Sequence, residues 1–299
     1  MTVRPPEFDP ALIRVYHDFM PRHKILISGA GIAGPTTAYW LLKHGFEPVL
    51  IERAPHLRQG GYIIDFWGIG FDVAERMGLV PTLRSLGYRM RKIEFVARDG
   101  RTRSSFGGNL FERALGDRFL SIHRGDLANA IYATIQNDVE TIFGDSISGI
   151  NQTSDGVEVT FEVGRPRCFD LVIGADGLHS PIRTLAFDLP ATEHYLGYYA
   201  ASFLTSGYSR RNENTYLSYA APGRQISRYA LRDDRTGFLF VFASEHRIPD
   251  VVHDIEAQKQ VLRRTFSLEQ WIEWPEIERH MDMCDDLYFD AVSQITLPC

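Results

Sequence analysis

The chain has 299 residues, of which 44% are hydrophobic and 23% charged, a composition typical of a globular protein with room for two domains. Its net charge of −6 and the absence of a long basic run argue against a nucleic acid as partner. No apolar stretch approaches the roughly 20 residues that span a bilayer, and the widely spaced Cys168, Cys284 and Cys299 predict neither a disulfide framework nor a metal site.

Residues 1–23 have the character of an extension that precedes the folded part. They contain Pro5, Pro6 and Pro10 among acidic side chains and lack the apolar core of a secretory signal. We expect one helical turn near Leu12–Phe19, no export from the cell and a cytoplasmic protein.

The first segment that predicts a function is KILISGAGIAGPTTAYWLLKHGFEPVLIER, at Lys24–Arg53. An apolar run at 25–28 predicts a buried parallel strand, and Gly29, Gly31 and Gly34 follow it with the spacing G-x-G-x-x-G. In this pattern the first glycine permits a tight turn and the second lets the backbone approach a pyrophosphate. The third lets the following helix pack closely on the strand.

The rest of this segment specifies the nucleotide. The helix is predicted to begin near Ile32, so that Ala33 and its neighbours direct backbone N–H groups at the phosphates. A second strand at 48–51 ends at Glu52, whose carboxylate can accept hydrogen bonds from both ribose hydroxyls of an adenosine. A carboxylate there also disfavours a 2′-phosphate, which argues against NADP. The segment therefore predicts a dinucleotide site, with NAD and FAD both open.

Strands and short helices follow as far as residue 176. The strands are predicted at 62–66, at 92–106 as a β-hairpin that turns at Asp99-Gly100, and at 119–122, 157–163 and 168–176. Two short helices are predicted within 69–86, broken by Gly78 and Pro81, and a third helix follows Arg124.

The composition changes near residue 190. Short alternating runs rich in Tyr, Phe, Ser and Thr continue to residue 243 and predict an antiparallel sheet. Helices near 254–267 and 268–282 and a last strand, LYFDAVSQI, are predicted after it.

These elements predict an α/β protein, α+β overall, in which a Rossmann-like dinucleotide domain with a parallel sheet is joined to a second domain with an antiparallel sheet. The dinucleotide domain is predicted at 24–87 and 107–188, and the second domain, expected to bind the substrate, at 88–106 and 189–299.

Two further motifs carry a family resemblance. Arg124 lies inside HRGDL, between a predicted strand and a helix, and GADGLHSPIR turns at the carboxyl end of a strand at Gly174–Arg183. Together with the glycine motif, they make the chain from residue 24 onward resemble the FAD-dependent aromatic hydroxylases. These are the single-component flavoprotein monooxygenases that include p-hydroxybenzoate hydroxylase and the tetracycline-inactivating monooxygenases.

The resemblance implies a cofactor, a reaction and several residue roles. FAD is expected, with Glu52 on the adenosine ribose, Arg53 near the adenine, Arg124 at the phosphate or the flavin, and Asp176 at the pyrophosphate. NAD(P)H and molecular oxygen are the implied co-substrates. A flavin C4a-hydroperoxide is implied to hydroxylate a phenolic, polyketide-like or other small organic substrate. The flavin carries this chemistry, so the sequence assigns no catalytic residue.

One family motif is missing. The family carries a second fingerprint, Gly-Asp followed by Ala and usually His, after the substrate domain, and the sequence up to Cys299 has no match in that context. We therefore expect the C-terminal part of the FAD-binding domain to be absent. The alternatives to a monooxygenase are a non-catalytic remnant of the family and a related FAD-dependent reductase or halogenase.

The aromatic-rich sheet supplies the candidate substrate contacts. Tyr219, Arg228 and Phe240 lie on its predicted strands, and the guanidinium group of Arg228 can orient a phenolate or another anion. Packing or solvent-facing positions are the alternative for each of them, because about half of the side chains on a strand face away from any one ligand. The expected partner is a small molecule, and a homo-oligomer stays open.

Overall fold

The computed structural model describes residues 23–57, 61–107, 115–187, 192–248, 254–267 and 270–296. The chain forms two compact units, a first unit from 1–57 and 131–190 and a second unit from 58–130 and 191–299. The helical turn predicted near Leu12–Phe19 lies outside the described residues. Within the described ranges, no helix combines the length and apolar character needed to cross a membrane.

Helices and strands are interspersed along the described ranges. The helices are Ala33–Lys43 (α1), Ile69–Arg76 (α2), Val80–Leu86 (α3), Arg124–Tyr132 (α4), Pro181–Ala186 (α5), Ile255–Phe266 (α6) and Trp274–Asp282 (α7). The strands are Lys24–Ser28 (β1), Glu47–Glu52 (β2), Ile63–Trp67 (β3), Lys92–Val96 (β4), Thr102–Gly107 (β5), Phe119–His123 (β6), Glu140–Phe143 (β7), Ile147–Thr153 (β8), Gly156–Phe161 (β9), Arg167–Phe169 (β10), Leu171–Gly174 (β11), Thr192–Ser206 (β12), Thr215–Ala221 (β13), Arg224–Ala230 (β14), Arg235–Ala243 (β15) and Leu287–Thr296 (β16).

The first unit is built on a parallel sheet with the order β11-β1-β2-β7. Strand β1 is one of its two inner strands and is buried on both faces. Successive side chains of a strand point to opposite sides, and both sides are packed here. Ile25 and Ile27 pack with Ala38 of α1 on one side, whereas Leu26 packs with Phe169 on the other. The continuous apolar run in the sequence thus reflects a strand covered on both faces, as predicted.

The segment predicted as one strand at 168–176 is two strands. Residues 167–169 pair antiparallel with β9, and residues 171–174 pair in parallel with β1. Asp170 lies between them, and its carboxylate accepts a hydrogen bond from the backbone N–H of Lys24 at 2.6 Å. Cys168 is exposed rather than part of the core, because the three-stranded sheet β10-β9-β8 leaves its side unpacked.

The second unit is built on a seven-stranded sheet with the order β16-β12-β15-β14-β13-β4-β5. Its neighbouring strands are antiparallel except for the parallel pair of β4 and β13. One face of this sheet packs against α6 and α7 through aromatic rings, in which Phe203 stacks on Phe240 and Phe266 meets Phe240 edge-on. We name this the helix face and the opposite side the second face.

The unit boundary differs from the predicted domain boundary. Strands β3 and β6 form a two-stranded sheet, and the described residues of 58–87 and 107–130 group with the second unit. Two contacts hold β3 there. The hydroxyl of Tyr229 accepts a hydrogen bond from the Ile63 N–H at 3.1 Å, and the Ser202 hydroxyl donates to the Gly61 carbonyl at 3.3 Å.

An ion pair is enclosed between the helix face and α7. Arg228 is 3% exposed, and its Nε lies 2.7 Å from the Glu273 carboxylate. The hydroxyl of Tyr208 donates to the same carboxylate at 2.7 Å. Burial and the negative charge of Glu273 raise the pKa of Tyr208, so its proton stays in place. The pair fixes the start of α7 on the sheet.

We expect Glu273→Ala to lower the free energy of unfolding by about 3–5 kcal/mol, because it leaves the Arg228 charge buried without a charged partner. Thermal and denaturant unfolding of the purified variant measure this loss. The control is Glu213→Ala, which removes a 3.0 Å partner of Arg211 at a carboxylate that is 65% exposed; we expect a change of less than about 1 kcal/mol. Equal losses in the two variants would contradict the assignment.

Candidate dinucleotide site

The candidate site lies at the carboxyl end of β1, in the first unit. The turn that follows β1 lies between the ends of the neighbouring strands β2 and β11. Backbone hydrogen bonds on both sides hold this turn in place. The Gly29 N–H donates to the Ile51 carbonyl at 2.7 Å, and the Ala175 N–H donates to the Ser28 carbonyl at 2.8 Å. The turn is therefore fixed from both sides at the edge of a parallel sheet where nucleotides bind.

The three glycines of the motif serve different ends. A methyl group added at Gly29, where φ is +105°, would lie 2.5 Å from the Ala175 carbonyl oxygen, and one at Gly34 would lie 1.9 Å from the Gly29 carbonyl oxygen. Both positions need glycine for internal packing. A methyl group at Gly31 would have no atom within 4 Å. Gly31 thus faces open space at the start of α1, where a ligand can approach the backbone.

Glu52 is held in a defined orientation at the end of β2. One carboxylate oxygen accepts a hydrogen bond from the Ala30 N–H at 2.9 Å, and the other accepts from the Ala54 N–H at 2.9 Å. Each oxygen keeps a second lone pair, so the carboxylate can still accept from ribose hydroxyls. Ala33 and Arg53 are exposed, Ala33 in the first turn of α1 and Arg53 directly after β2.

The residues of the GADGLHSPIR motif shape a second turn after β11. The half-buried Asp176 accepts a hydrogen bond from the Ile182 N–H at 3.3 Å. Ser180 caps α5 by accepting from the Arg183 N–H at 3.1 Å, and the Arg183 guanidinium donates to the Leu178 carbonyl at 2.6 Å. These contacts give Ser180 and Arg183 structural roles and hold Asp176 beside Ser28, whose hydroxyl lies 3.5 Å from its carboxylate.

Arg124 belongs to the second unit. It is the first residue of α4, its side chain is exposed, and its backbone N–H donates to the Tyr62 carbonyl at 3.1 Å. The sequence predicted a strand-to-helix junction here, and the structure has one. Its contact with a phosphate or a flavin stays a prediction.

The three predicted substrate contacts all lie on the helix face of the second unit. Tyr219 stacks on Trp271 with a centroid distance of 5.3 Å, and Phe240 is fully buried beside Phe203. Arg228 is held by Glu273. The structure gives these three side chains interior packing and pairing roles.

The sequence reasoning missed the polar residues of the second face. The hydroxyls of Ser218 and Ser227 lie 2.8 Å apart, and the Gln225 amide donates to Ser227 at 2.8 Å. Tyr216 joins this group, and burial raises the pKa of its hydroxyl, with the Ser227 hydrogen bond opposing and the charge of Asp65 adding to the rise. Strand alternation could have placed these residues opposite Tyr219 and Arg228.

No cluster of metal-ligating side chains occurs within the ranges that the structure describes. The predicted absence of a metal site in the whole chain stays a prediction.

Comparison with known proteins identifies the group of proteins that this chain resembles. A family model described as an FAD-binding domain matches residues 22–267. A flavin-dependent monooxygenase of Legionella longbeachae serogroup 1 (strain NSW150) is 36% identical over 278 residues, which cover 92% of this chain and 70% of that protein.

Solved structures agree. The tetracycline destructase Tet(51) is 31% identical, with a TM-score of 0.79 over 93% of this chain and 71% of that chain. HpxO of Klebsiella pneumoniae, solved with FAD and uric acid, shares the fold with a TM-score of 0.72 at 22% identity, over 91% of this chain and 68% of its own.

The residues of the first unit fit FAD. The space at Gly31 admits a pyrophosphate, the start of α1 supplies free N–H groups, and Glu52 is oriented to meet a ribose. Asp176 stands at the neighbouring turn, where the same ligand would pass.

The open space at Gly31 leads to a prediction about FAD binding. We expect Gly31→Ala to keep the thermal stability of the apo chain, because the new methyl group meets no protein atom. It should weaken FAD binding at least about tenfold, because the methyl group occupies the space of the ligand. Titration of flavin fluorescence measures the affinity.

The matched comparison is Gly34→Ala in the same motif. Its methyl group would collide with the Gly29 carbonyl oxygen, so we expect this variant to lose stability before any ligand is added. Equal stability of the two variants, or unchanged FAD affinity in Gly31→Ala, would contradict the different roles given to the glycines.

Proposed function

Because this chain belongs to the flavin-dependent monooxygenases, an FAD-binding family of oxidoreductases, we propose that it hydroxylates a phenolic or polyketide-like small molecule with NADH or NADPH as the reductant. The observation that carries the proposal is the turn after β1, where Gly29 and Gly34 are closed by packing and Gly31 alone of the three faces open space. Bound FAD would supply the redox and oxygen chemistry, and the protein would supply binding and orientation.

The residues of the first unit have binding roles in this proposal. The backbone at Gly31 and the start of α1 hold the pyrophosphate, and Glu52 holds the adenosine ribose through lone pairs that its own N–H donors leave free. Asp176 contributes from the second turn. Molecular oxygen and reduced nicotinamide are the co-substrates, and the acid at residue 52 leaves the adenosine pocket unsuited to a 2′-phosphate.

We assign the substrate to the second face of the seven-stranded sheet. This face combines half-buried apolar side chains, Ile93 and Val241, with the hydroxyls and amide of Tyr216, Gln225 and Ser227. Mixed apolar area with a few placed polar groups suits an aromatic ring system that carries hydroxyl or carbonyl groups. The similarity to a tetracycline destructase supports the polyketide-like class, because tetracyclines are the substrates that its name states.

The reaction itself can be tested with the purified chain. We expect the chain reconstituted with FAD to oxidise NADH or NADPH, to take up oxygen faster when a phenolic or polycyclic substrate is added, and to yield a product that is heavier by one oxygen atom. Nicotinamide absorbance, an oxygen electrode and mass spectrometry measure these quantities. A chain that binds FAD but never couples nicotinamide oxidation to oxygen uptake would sink the proposal.

The assignment of the second face can be tested once a substrate is found. We expect Gln225→Leu to raise the KM about 3- to 10-fold, because it removes one amide hydrogen bond at similar volume, and to leave the affinity for FAD unchanged. The control is Gln152→Leu, at an exposed glutamine of β8 in the first unit. A KM that stays constant in Gln225→Leu would remove this residue from the substrate surface.

A further inference from the structure

Strand β3 lies against the second face of the seven-stranded sheet, and both belong to the second unit. The side chain of Ile63 packs in one cluster with Tyr229 and Leu239 of that face. Side chains two residues apart on a strand point to the same side, so Asp65 and Trp67 point toward the second face as well. Ile63 is buried, whereas Asp65 is exposed and Trp67 is 54% exposed. The gap between β3 and the sheet is therefore filled at Ile63 and opens toward Asp65 and Trp67.

Asp65 brings a negative charge to this gap. Its carboxylate accepts a hydrogen bond from the buried Ser121 hydroxyl on the neighbouring strand β6 at 2.6 Å, which fixes its orientation. Among the residues that the structure describes, no Lys, Arg or His side chain forms an ion pair with it. A carboxylate has two lone pairs on each oxygen, so most of its acceptor capacity stays open. Asp65 is thus an oriented charge without a counter-ion from the described part of the chain.

The part of the sheet that faces Asp65 is uncharged. Burial raises the pKa of the Tyr216 hydroxyl, the Ser227 hydrogen bond opposes this rise, and the charge of Asp65 adds to it. Arg224 and Arg228 of β14 point to the helix face, where they contact residues of α6 and of the start of α7. Strand alternation leaves six neutral residues of β13 and β14 on the second face: Tyr216, Ser218, Ala220, Gln225, Ser227 and Tyr229.

A fixed carboxylate beside an exposed indole ring suits an organic ammonium group. The carboxylate attracts positive charge, and the face of a Trp ring attracts a cation within about 6 Å of its centre. Asp65 and Trp67 are about 6.6 Å apart along the strand, so one trimethylammonium-sized group can contact both side chains. The same negative charge repels carboxylates and phosphates.

We propose that Asp65 and Trp67 form a subsite that selects substrates carrying a positively charged organic ammonium group. The inference deepens the proposed function, because it rests on the assignment of the substrate to the second face and adds a charge requirement to it. Asp65 determines specificity in this proposal and takes no part in the oxygen chemistry.

A matched pair of compounds tests the charge requirement. The probes are 3-(trimethylammonio)phenol and 3-tert-butylphenol, which have the same shape, but only the first is a cation. We expect calorimetry on the purified chain, without nicotinamide, to show the cation binding about tenfold more tightly than the neutral phenol. Equal or weaker binding of the cation, or no binding of either compound, would overturn the proposal.

Asp65→Asn isolates the charge, because the amide oxygen can still accept the Ser121 hydrogen bond. We expect this variant to bind the cation about tenfold more weakly and the neutral phenol as before. The matched control is Asp155→Asn, at an exposed aspartate of the first unit, which should bind both compounds normally. Unchanged affinity for the cation in Asp65→Asn would overturn the assignment to this carboxylate.

Trp67→Leu tests the ring. We expect it to weaken binding of the cation about 2- to 5-fold more than binding of the neutral phenol, because a leucine side chain has no ring face to attract a charge. Equal losses for the two compounds would overturn the role given to the indole.

Salt dependence keeps the proposal testable if a variant folds poorly. Between about 0.1 and about 1 M NaCl, the Debye length falls from about 10 to about 3 Å. On the unaltered chain, this change should weaken the cation several-fold and leave the neutral phenol nearly unchanged. Binding of the cation that does not depend on salt would overturn the role of the charge.

The binding assay is separate from the reaction. A chain that binds the cation through Asp65 but never couples nicotinamide oxidation to oxygen uptake would refute the hydroxylation and support the subsite. A chain that hydroxylates its substrate but binds the two probes equally would refute the subsite alone.

Discussion

The close approach of helix α1 to the turn after β1 is the constraint on which the first unit depends. A single methyl group at Gly34 would lie 1.9 Å from the carbonyl oxygen of Gly29, so the helix can start where it does only if that position is glycine. Because of this close packing, the first N–H groups of α1 lie next to the open space at Gly31. The Ala30 N–H lies 2.9 Å from the Glu52 carboxylate. Backbone packing therefore creates the binding surface before any ligand is present.

The second unit differs from the first, because its sheet is anchored to helices on one face and, in our proposal, meets the substrate on the other. Stacked rings such as Phe203 and Phe240 fill the helix face, and the pair of Arg228 and Glu273 fixes α7 against it. An aromatic core alone would tolerate sliding of the helix, whereas a buried ion pair has one favourable position. On the second face, the hydroxyls of Tyr229 and Ser202 hold the segment that leads into β3, and the half-buried Tyr216 and Gln225 are the residues that our proposal gives to the substrate.

Sequence reasoning succeeded where a local pattern has one physical cause. The glycine spacing, the strand before it and the acid after it all reflect the geometry of one turn, and the hairpin at 92–106 follows from its Asp99-Gly100 turn. It failed where the cause is distant along the chain. Nothing near Arg228 indicates a partner 45 residues away in α7, and the break at Asp170 depends on an N–H donor from β1. Strands β7 and β8 were missed because their half-buried sequences lack a strong alternation.

The two units are also interlaced along the chain. Strand β1 pairs with β2, which follows it closely, and with β11, whose residue Leu171 lies opposite Ile25. Such distant partners carry a large loop-closure entropy, which slows folding. During synthesis, the second segment of the first unit, 131–190, is made only after residues 58–130 of the second unit. Those residues in turn lack their contact partners until 191–299 are made. The first unit therefore has all of its residues once residue 190 has emerged, whereas the second unit still needs residues 191–299.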